Sequence, residues 1–265
     1  MPKITINGVG LNYEEWGEGY PLLLLMGFGD SLDAWSQQIP ALSAEFRTIG
    51  LDHRGTGFSD CPDDGYSIPQ FSDDAIGLLD HLGLEKAHVL GYSMGGRVGQ
   101  DMAARYPDRI SGLVLAASAA KPNPLNVFSL RSAAYLYREF GPEAAAAFGP
   151  LISFTHAYFE DHLQELSDKL GKPATHPMPL HAYEGHVSAI ENHDTTPILD
   201  QVRAPTLVLM GDQEWLNPQA DADIMLNGIK GSRLQVLEGG GHGFLWENPD
   251  AFNKAVIDFL APHTP

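Results

Sequence analysis

Apolar residues fall along the chain in short runs bounded by Gly, Pro and Asp, and segments of helical period lie between them. "ITI" and "GLNYEEW" predict an antiparallel opening pair of strands. "PLLLLM", "FRTIGLD", "AHVLGY", "ISGLVLAA", "APTLVLM" and "SRLQVLE" predict further strands, most of them apolar enough to be buried. From Pro21 onward nearly every strand is followed by a helix. The helical segments are Leu32 to Ala44, Pro69 to Leu82, Met94 to Arg105, Pro218 to Leu226 and Pro249 to Leu260, the last with Asn248 at its N-cap. Strand and helix alternating over this length predict a mostly parallel sheet of about eight strands, covered on both faces.

The rhythm breaks between about Ala120 and Thr196. "LNVFSLRSAAYLYREF", "PEAAAAF", "LISFTHAYFEDHLQELSDKL" and "GHVSAIENHD" read as helices, separated by Gly-Pro pairs and by the Pro-rich "GKPATHPMP". The expected organisation is a core domain of residues 1–119 and 197–265 with a helical cap, residues 120–196, inserted into it. The cap aromatics Tyr135, Tyr137, Phe140, Phe148, Phe154, Tyr158 and Phe159 either pack its helices together or line an apolar pocket.

Composition narrows the partners. At 265 residues and 43% hydrophobic, the chain can bury a sizeable core. Sixteen basic residues against thirty-four acidic ones leave a formal charge of −18, which opposes binding to nucleic acid or anionic membranes. The lone Cys61 has no intrachain disulfide partner and no companion at metal-ligand spacing. The opening "MPKITINGVGLNYEEWG" lacks the basic-then-apolar pattern of a signal peptide, and "LLLLM" is too short to span a bilayer, so a cytoplasmic protein is expected.

The stretch with most chemistry in it is "HVLGYSMGGRVGQDMAARYP". A buried strand ends at Gly91-Tyr92-Ser93-Met94-Gly95 and a helix begins at once. A serine on so sharp a turn has its hydroxyl thrust out at the sheet edge, and small flanking residues let strand and helix approach closely. Such a serine is a poor nucleophile until a base takes its proton. Of eleven histidines, only His242 lies on a Gly-rich loop at the carboxyl end of a core strand, in "LEGGGHGFLWENP". The cap and its border hold His156, His162, His176, His181, His186 and His193, which match no metal-ligand motif. Acyl transfer also needs donors for an oxyanion. The backbone N–H of Met94 supplies one, and Phe28 N–H, in the strand-turn-helix "LLLLMGFGDSLDAW", supplies the other. An orienting acid is offered by "GDQEWLNP", which holds both Asp212 and Glu214, whereas "SAAKPN" after "SGLVLAA" holds none.

These motifs, in this order, resemble the α/β-hydrolase superfamily over essentially the full chain, in particular its small esterase, lactonase and cofactor-free haloperoxidase-like branch with a helical cap. The resemblance rests on "MGFG", "DHRGTGFS", "GYSMGG", "GDQEWLNP" and "GGHGFLWENP". Met26-Gly27 stands where the family often has His-Gly, a change that leaves a backbone oxyanion donor intact. Glu214 stands in the family's Asp slot, with Pro218 four residues on, so the resemblance assigns the acid to Glu214 rather than Asp212. Relatives with an alkyl-enzyme mechanism carry Asp at the elbow; Ser93 argues against that chemistry. Arg54 in "DHRGTGFS" reads as a loop anchor. The resemblance thus implies hydrolysis of a small-molecule ester or lactone by Ser93, Glu214 and His242, with no metal or organic cofactor. A C–C bond hydrolase, amidase or perhydrolase with the same residues, or a ligand-binding receptor on the same fold, are the competing functions. Monomer and homodimer are both compatible with the sequence.

Overall fold

The computed structural model describes residues 3–172 and 176–264; residues 173–175, inside the Pro-rich separator expected between cap helices, lie outside the described residues. Eight strands build one sheet: β1 (Lys3–Ile6), β2 (Val9–Trp16), β3 (Pro21–Leu25), β4 (Arg47–Leu51), β5 (Ala87–Tyr92), β6 (Ile110–Ala116), β7 (Thr206–Gly211) and β8 (Arg233–Leu237). Their spatial order is β1-β2-β4-β3-β5-β6-β7-β8. The β1–β2 and β2–β4 pairs are antiparallel, and all later pairs are parallel.

The continuous apolar runs resolve into two alternating faces, as the period of two in a strand requires. Leu24, Leu90, Val114 and Leu207 stand in register across four strands and enter one core layer; Leu23, Val89 and Leu113, each one residue earlier, enter the other. Ten helices are described: α1 (Ile39–Leu42), α2 (Ile68–His81), α3 (Met94–Arg105), α4 (Pro124–Phe140), α5 (Pro142–Ser153), α6 (His156–Lys169), α7 (Leu180–Glu191), α8 (Gln219–Gly228), α9 (Phe244–Glu247) and α10 (Pro249–Leu260). Phe71 and Leu78 of α2, Val98 and Met102 of α3 and Met225 of α8 fill the Leu23 side. Trp35, with Phe252 and Val256 of α10, fills the Leu24 side. Each fully buried side chain of this size contributes about 1.5–3 kcal/mol of transfer free energy. Helix α2 is capped by Ser67, which accepts from Gln70 N–H, and α10 by Asn248, which accepts from Ala251 N–H.

Three expected helices change shape. The segment from Leu32 to Ala44 is a 3₁₀ turn (Leu32–Trp35), its first N–H capped by Asp52, followed by the short α1; Pro40 offers no amide to a continuous helix. The segment from Leu151 to Leu170 is split: α5 runs through Pro150 to Ser153, and α6 restarts under Thr155, whose hydroxyl accepts from Tyr158 N–H. Helix α7 begins at Leu180, five residues before Gly185. The four helices α4 to α7 all lie between β6 and β7. Arg54 is an anchor in the plainest sense, with Nε and Nη2 donating to the two carboxylate oxygens of buried Asp74 and Nη1 donating to Gly65 O. No helix among the described residues is long and apolar enough to cross a membrane.

Four histidines are held neutral inside this fold. Burial lowers His53 and His88 from 6.5 to about 4 and His186 and His193 from 6.5 to about 3. His186 Nε2–H donates to Arg54 O at 2.8 Å. Because these values lie below those of the unfolded chain, protons bind the unfolded state first as the pH falls. The stability the four contribute is complete above pH 6.5 and is lost between 6.5 and 3. The melting temperature is therefore expected to drop between pH 6.5 and 4, and to drop less in His186→Gln; equal slopes in the two proteins would remove His186 from the account.

Candidate active site

Strand β5 delivers Ser93 to a turn with φ 51° and ψ −113°, and α3 starts at the next residue. A non-glycine residue in this region costs about 1–3 kcal/mol, so the surroundings must hold it there. They do so by close approach. A Cβ at Gly95 would sit 1.9 Å from Leu25 O, and one at Gly91 would sit 2.3 Å from Gly95 O, so only glycine lets α3 lie this near β3 and β5. Ser93 N–H donates to Ala116 O, and the Ser118 hydroxyl donates to Ser93 O at 2.9 Å.

The loops after β7 and β8 meet at this turn. His242 Nε2 lies 3.1 Å from Ser93 Oγ, and its Nδ1 lies 2.7 Å from Glu214 Oε2. A carboxylate can only accept, so Nδ1–H donates to Glu214, and Nε2 of the neutral ring is left to accept the serine proton. The other oxygen of Glu214 accepts from Leu216 N–H at 2.8 Å and Asn217 N–H at 3.0 Å. Its side chain is fully buried. Asp212, two residues earlier, is exposed. Of the two carboxylates in "GDQEWLNP", the structure brings Glu214 to His242 and leaves Asp212 in solvent. The added methylene of Glu lets the carboxyl fold back over its own loop, where the Leu216 and Asn217 amides fix it. Tyr92 OH donates to the backbone His242 O at 2.9 Å and holds the main chain that carries the imidazole.

Both expected oxyanion donors stand by the serine. Gly27 lies against Ser93, its built Cβ 3.3 Å from Ser93 Cβ, and Phe28 follows it on the cavity wall. Met94 occupies the first turn of α3, its side chain in the core below. Neither Phe28 N–H nor Met94 N–H meets an acceptor among the described residues. Two unspent N–H groups thus stand beside the serine, that of Met94 at the positive end of a helix.

Ser93 and His242 open into a cavity of about 410 Å³, roofed by the helices inserted between β6 and β7. Tyr137, Phe148 and Phe154 line it, whereas Tyr135 and Phe140 are exposed and Tyr158 stacks on Phe154. The inserted aromatics therefore divide between lining, packing and surface. Asp30, Arg97, Asn126 and Ser129 are polar wall residues that the motifs did not single out. Water reaches Asp30, yet surrounding protein desolvates its carboxyl and lifts its pKa to about 6, against the pull of His242. Arg97 is four residues after Ser93 on α3, a spacing that marks the same helix side; Asn126 and Asp30 carry no such signal. The histidines of the insertion are dispersed: His176 packs on Phe58, His162 on Tyr158, His181 meets Cys61 O, and His186 meets Arg54 O. His156 pairs weakly with Glu160, and His193 approaches the Thr195 hydroxyl. No cluster of three metal-ligating side chains occurs among the described residues.

A mostly parallel eight-stranded sheet, with a serine at a left-handed strand-to-helix turn and its acid and histidine on the next loops along the same edge, defines a hydrolase of the α/β-hydrolase class. The model of the α/β hydrolase fold family matches residues 20–249, and the chain belongs to that family. It is 34% identical over 258 residues to 3-oxoadipate enol-lactonase 2 of Acinetobacter baylyi, covering 96% of this chain and 94% of that one. It is 31% identical to the RutD protein of Variovorax paradoxus, named as a candidate carbamate hydrolase, over 95% of this chain and 96% of that one. The crystal structure of an enol-lactonase from Burkholderia xenovorans LB400 superposes with a TM-score of 0.88 at 30% identity, covering 98% of this chain and all of that one. A thermophilic esterase from Thermogutta terrifontis superposes with a TM-score of 0.87 at 28% identity, over 99% of this chain and 97% of that one.

If Glu214 fixes the ring tautomer, Glu214→Gln slows covalent labelling of Ser93 by a fluorophosphonate by about 10²-fold or more, while Asp212→Asn labels near the wild-type rate. Labelling rates under pseudo-first-order conditions check this, and the opposite ranking would transfer the role to Asp212.

Proposed function

We propose that the chain hydrolyses a small carboxylic ester or lactone through an acyl-enzyme. The observation that carries this reading is the unbroken line from Ser93 Oγ through His242 to Glu214, at 3.1 and 2.7 Å, beside two free N–H donors. Ser93 Oγ attacks the carbonyl carbon as His242 Nε2 takes the hydroxyl proton. The oxyanion rests on Phe28 N–H and Met94 N–H, and Glu214 stabilises the imidazolium. Collapse breaks the C–O bond, and the departing alkoxide takes the proton from His242. Water then attacks the acyl-serine with His242 again as base, releasing the acid and restoring Ser93. The sequence of steps consumes only water, and no metal or organic cofactor enters it.

The relatives support the lactone form of this chemistry, since two of them are named for hydrolysis of an enol-lactone. A lactone is an ester whose alcohol stays tethered to the acyl group, so the same residues serve both. Residues 120–196 act in this reading as a cap domain over a core of residues 1–119 and 197–265, shaping a small-molecule site of a size that suits a compact substrate. The wall of aliphatic and aromatic side chains accommodates an acyl chain, and the serine lies at its base.

Ser93→Ala is expected to lower kcat by about 10⁴-fold or more on the best substrate. That substrate is sought among short-chain p-nitrophenyl esters, five- and six-membered lactones and vinylogous diketones. Turnover of esters or lactones supports the proposal. Exclusive turnover of the diketones would make the chain a C–C bond hydrolase, and wild-type ester turnover by Ser93→Ala would refute the acyl-enzyme.

A further inference from the structure

Two arginines of the chain are almost wholly buried, and they differ in one respect. Arg54 has its carboxylate inside the fold, paired with Asp74 through two hydrogen bonds of 2.7 and 2.8 Å. Arg97, 2% exposed, has none: no carboxylate lies within ion-pair distance of it among the described residues. Its Nη2 donates to Asn126 Oδ1 over a long 3.4 Å, and its Nη1 meets no partner among the described residues. The acid whose charge it feels, Asp221, is engaged at 2.6 Å by Asn123 Nδ2. Burial lowers the Arg97 pKa to about 10, which leaves the guanidinium charged at neutral pH. A buried charge without a partner is costly, on the order of several kcal/mol, and an anionic ligand in the cavity would supply the missing partner.

Arg97 and Asn126 both line the Ser93 cavity. Arg97 lies about one turn of α3 beyond the serine, a rise of about 6 Å. The other charged wall residue, Asp30, is felt by His242. The wall thus carries one acid that interacts with His242 and one buried cation on α3 without a carboxylate, and an anionic group of a substrate would pair with that cation. With an overall formal charge of −18, the chain gains nothing from long-range attraction of an anion, so recognition must come from this local pairing.

We propose that Arg97, assisted by the Asn126 amide, is a carboxylate-binding subsite of this cavity, and that the preferred substrate is an ester or lactone carrying a free carboxylate. The guanidinium fork matches a carboxylate in two parallel N–H···O bonds. This inference rests on the assignment of Ser93 as nucleophile for its chemistry, but the subsite itself can be tested by binding alone.

The experiment compares mono-p-nitrophenyl glutarate with p-nitrophenyl pentanoate, which share chain length and differ in the terminal charge. The wild type is expected to favour the half-ester in kcat/KM, mainly through KM, and Arg97→Met to cut that preference about 10²-fold. Asn126→Asp is the second variant: it sets a carboxylate beside Arg97, keeps the buried charge paired, and should abolish the preference by occupying the subsite. In parallel, free glutarate should slow fluorophosphonate labelling of the wild type and fail to do so in Asn126→Asp. A wild type that favours the neutral ester, or a preference that survives in folded Asn126→Asp, overturns the subsite. If neither ester is turned over while glutarate still protects Ser93 in the wild type alone, the subsite stands and the ester reading fails.

Discussion

The backbone reversal at Ser93 is the constraint on which the rest of the site depends. A serine at φ 51° and ψ −113° is unfavourable by itself, and it persists because strand β5 and helix α3 are pressed together through Gly91 and Gly95. The same reversal does three things at once. It turns the hydroxyl out at the carboxyl edge of the sheet, starts α3 with the Met94 N–H unspent, and leaves the Ser93 carbonyl to accept from Ser118. Parallel strand order then brings the other groups to the same edge. The loops after β3, β7 and β8 all leave the sheet where β5 ends, which is why Phe28, Glu214 and His242 converge on a serine more than sixty residues away from any of them.

The acid shows how local geometry decides between two plausible carboxylates. Asp212 N–H is spent on Leu237 O and Gln213 N–H on Gly240 O, so the start of the loop after β7 is bonded to the end of β8 and the loop that follows it. That pairing leaves Asp212 in solvent and carries Glu214 inward. Once buried, the Glu214 carboxylate accepts three hydrogen bonds, two from its own loop and one from His242. A charge out of water needs this many donors to remain a charge. Asn217 continues the arrangement by donating to Ala117 O, which ties the acid loop to the end of β6.

Much of this was legible in the chain because it follows from local periodicity. All eight strands were expected close to their observed bounds, and α3 and α10 agree to the residue. Ser93, His242, Glu214, Phe28 and Met94, placed by motif, are together in the structure. What was not legible depends on tertiary partners. The 3₁₀ turn at Leu32 starts on a cap from Asp52, twenty residues away, and the break at Thr155 is fixed by Glu247 of α9. Asn126 could not be matched to Arg97 from pattern, because periodicity gives the face of a helix and not the neighbour across it. That Arg97 lacks a carboxylate is a property of the packed core, not of its helix, and so leaves no mark in the sequence.

The contacts at Thr155 bear on how the inserted helices relate to the chemistry. Glu247, on α9, accepts from Gly241 N–H at 2.6 Å with one oxygen and from Thr155 N–H at 2.7 Å with the other. Gly243 N–H donates to Ser153 O at 2.7 Å, and Phe154 packs edge-on against Trp246. His242 is therefore flanked on both sides by residues hydrogen-bonded to the junction of α5 and α6 or to the glutamate that holds it. A cover resting on the sheet through apolar contacts alone could slide without disturbing the base. Here a displacement of the junction must stretch bonds to the residues on either side of the imidazole, whose distance to Ser93 Oγ would set the ease of proton transfer in the proposed mechanism. The helices that shape the cavity and the loop that carries the base thus share one set of hydrogen bonds, so the fit of a substrate under α5 and α6 and the alignment of Nε2 with the serine are coupled properties.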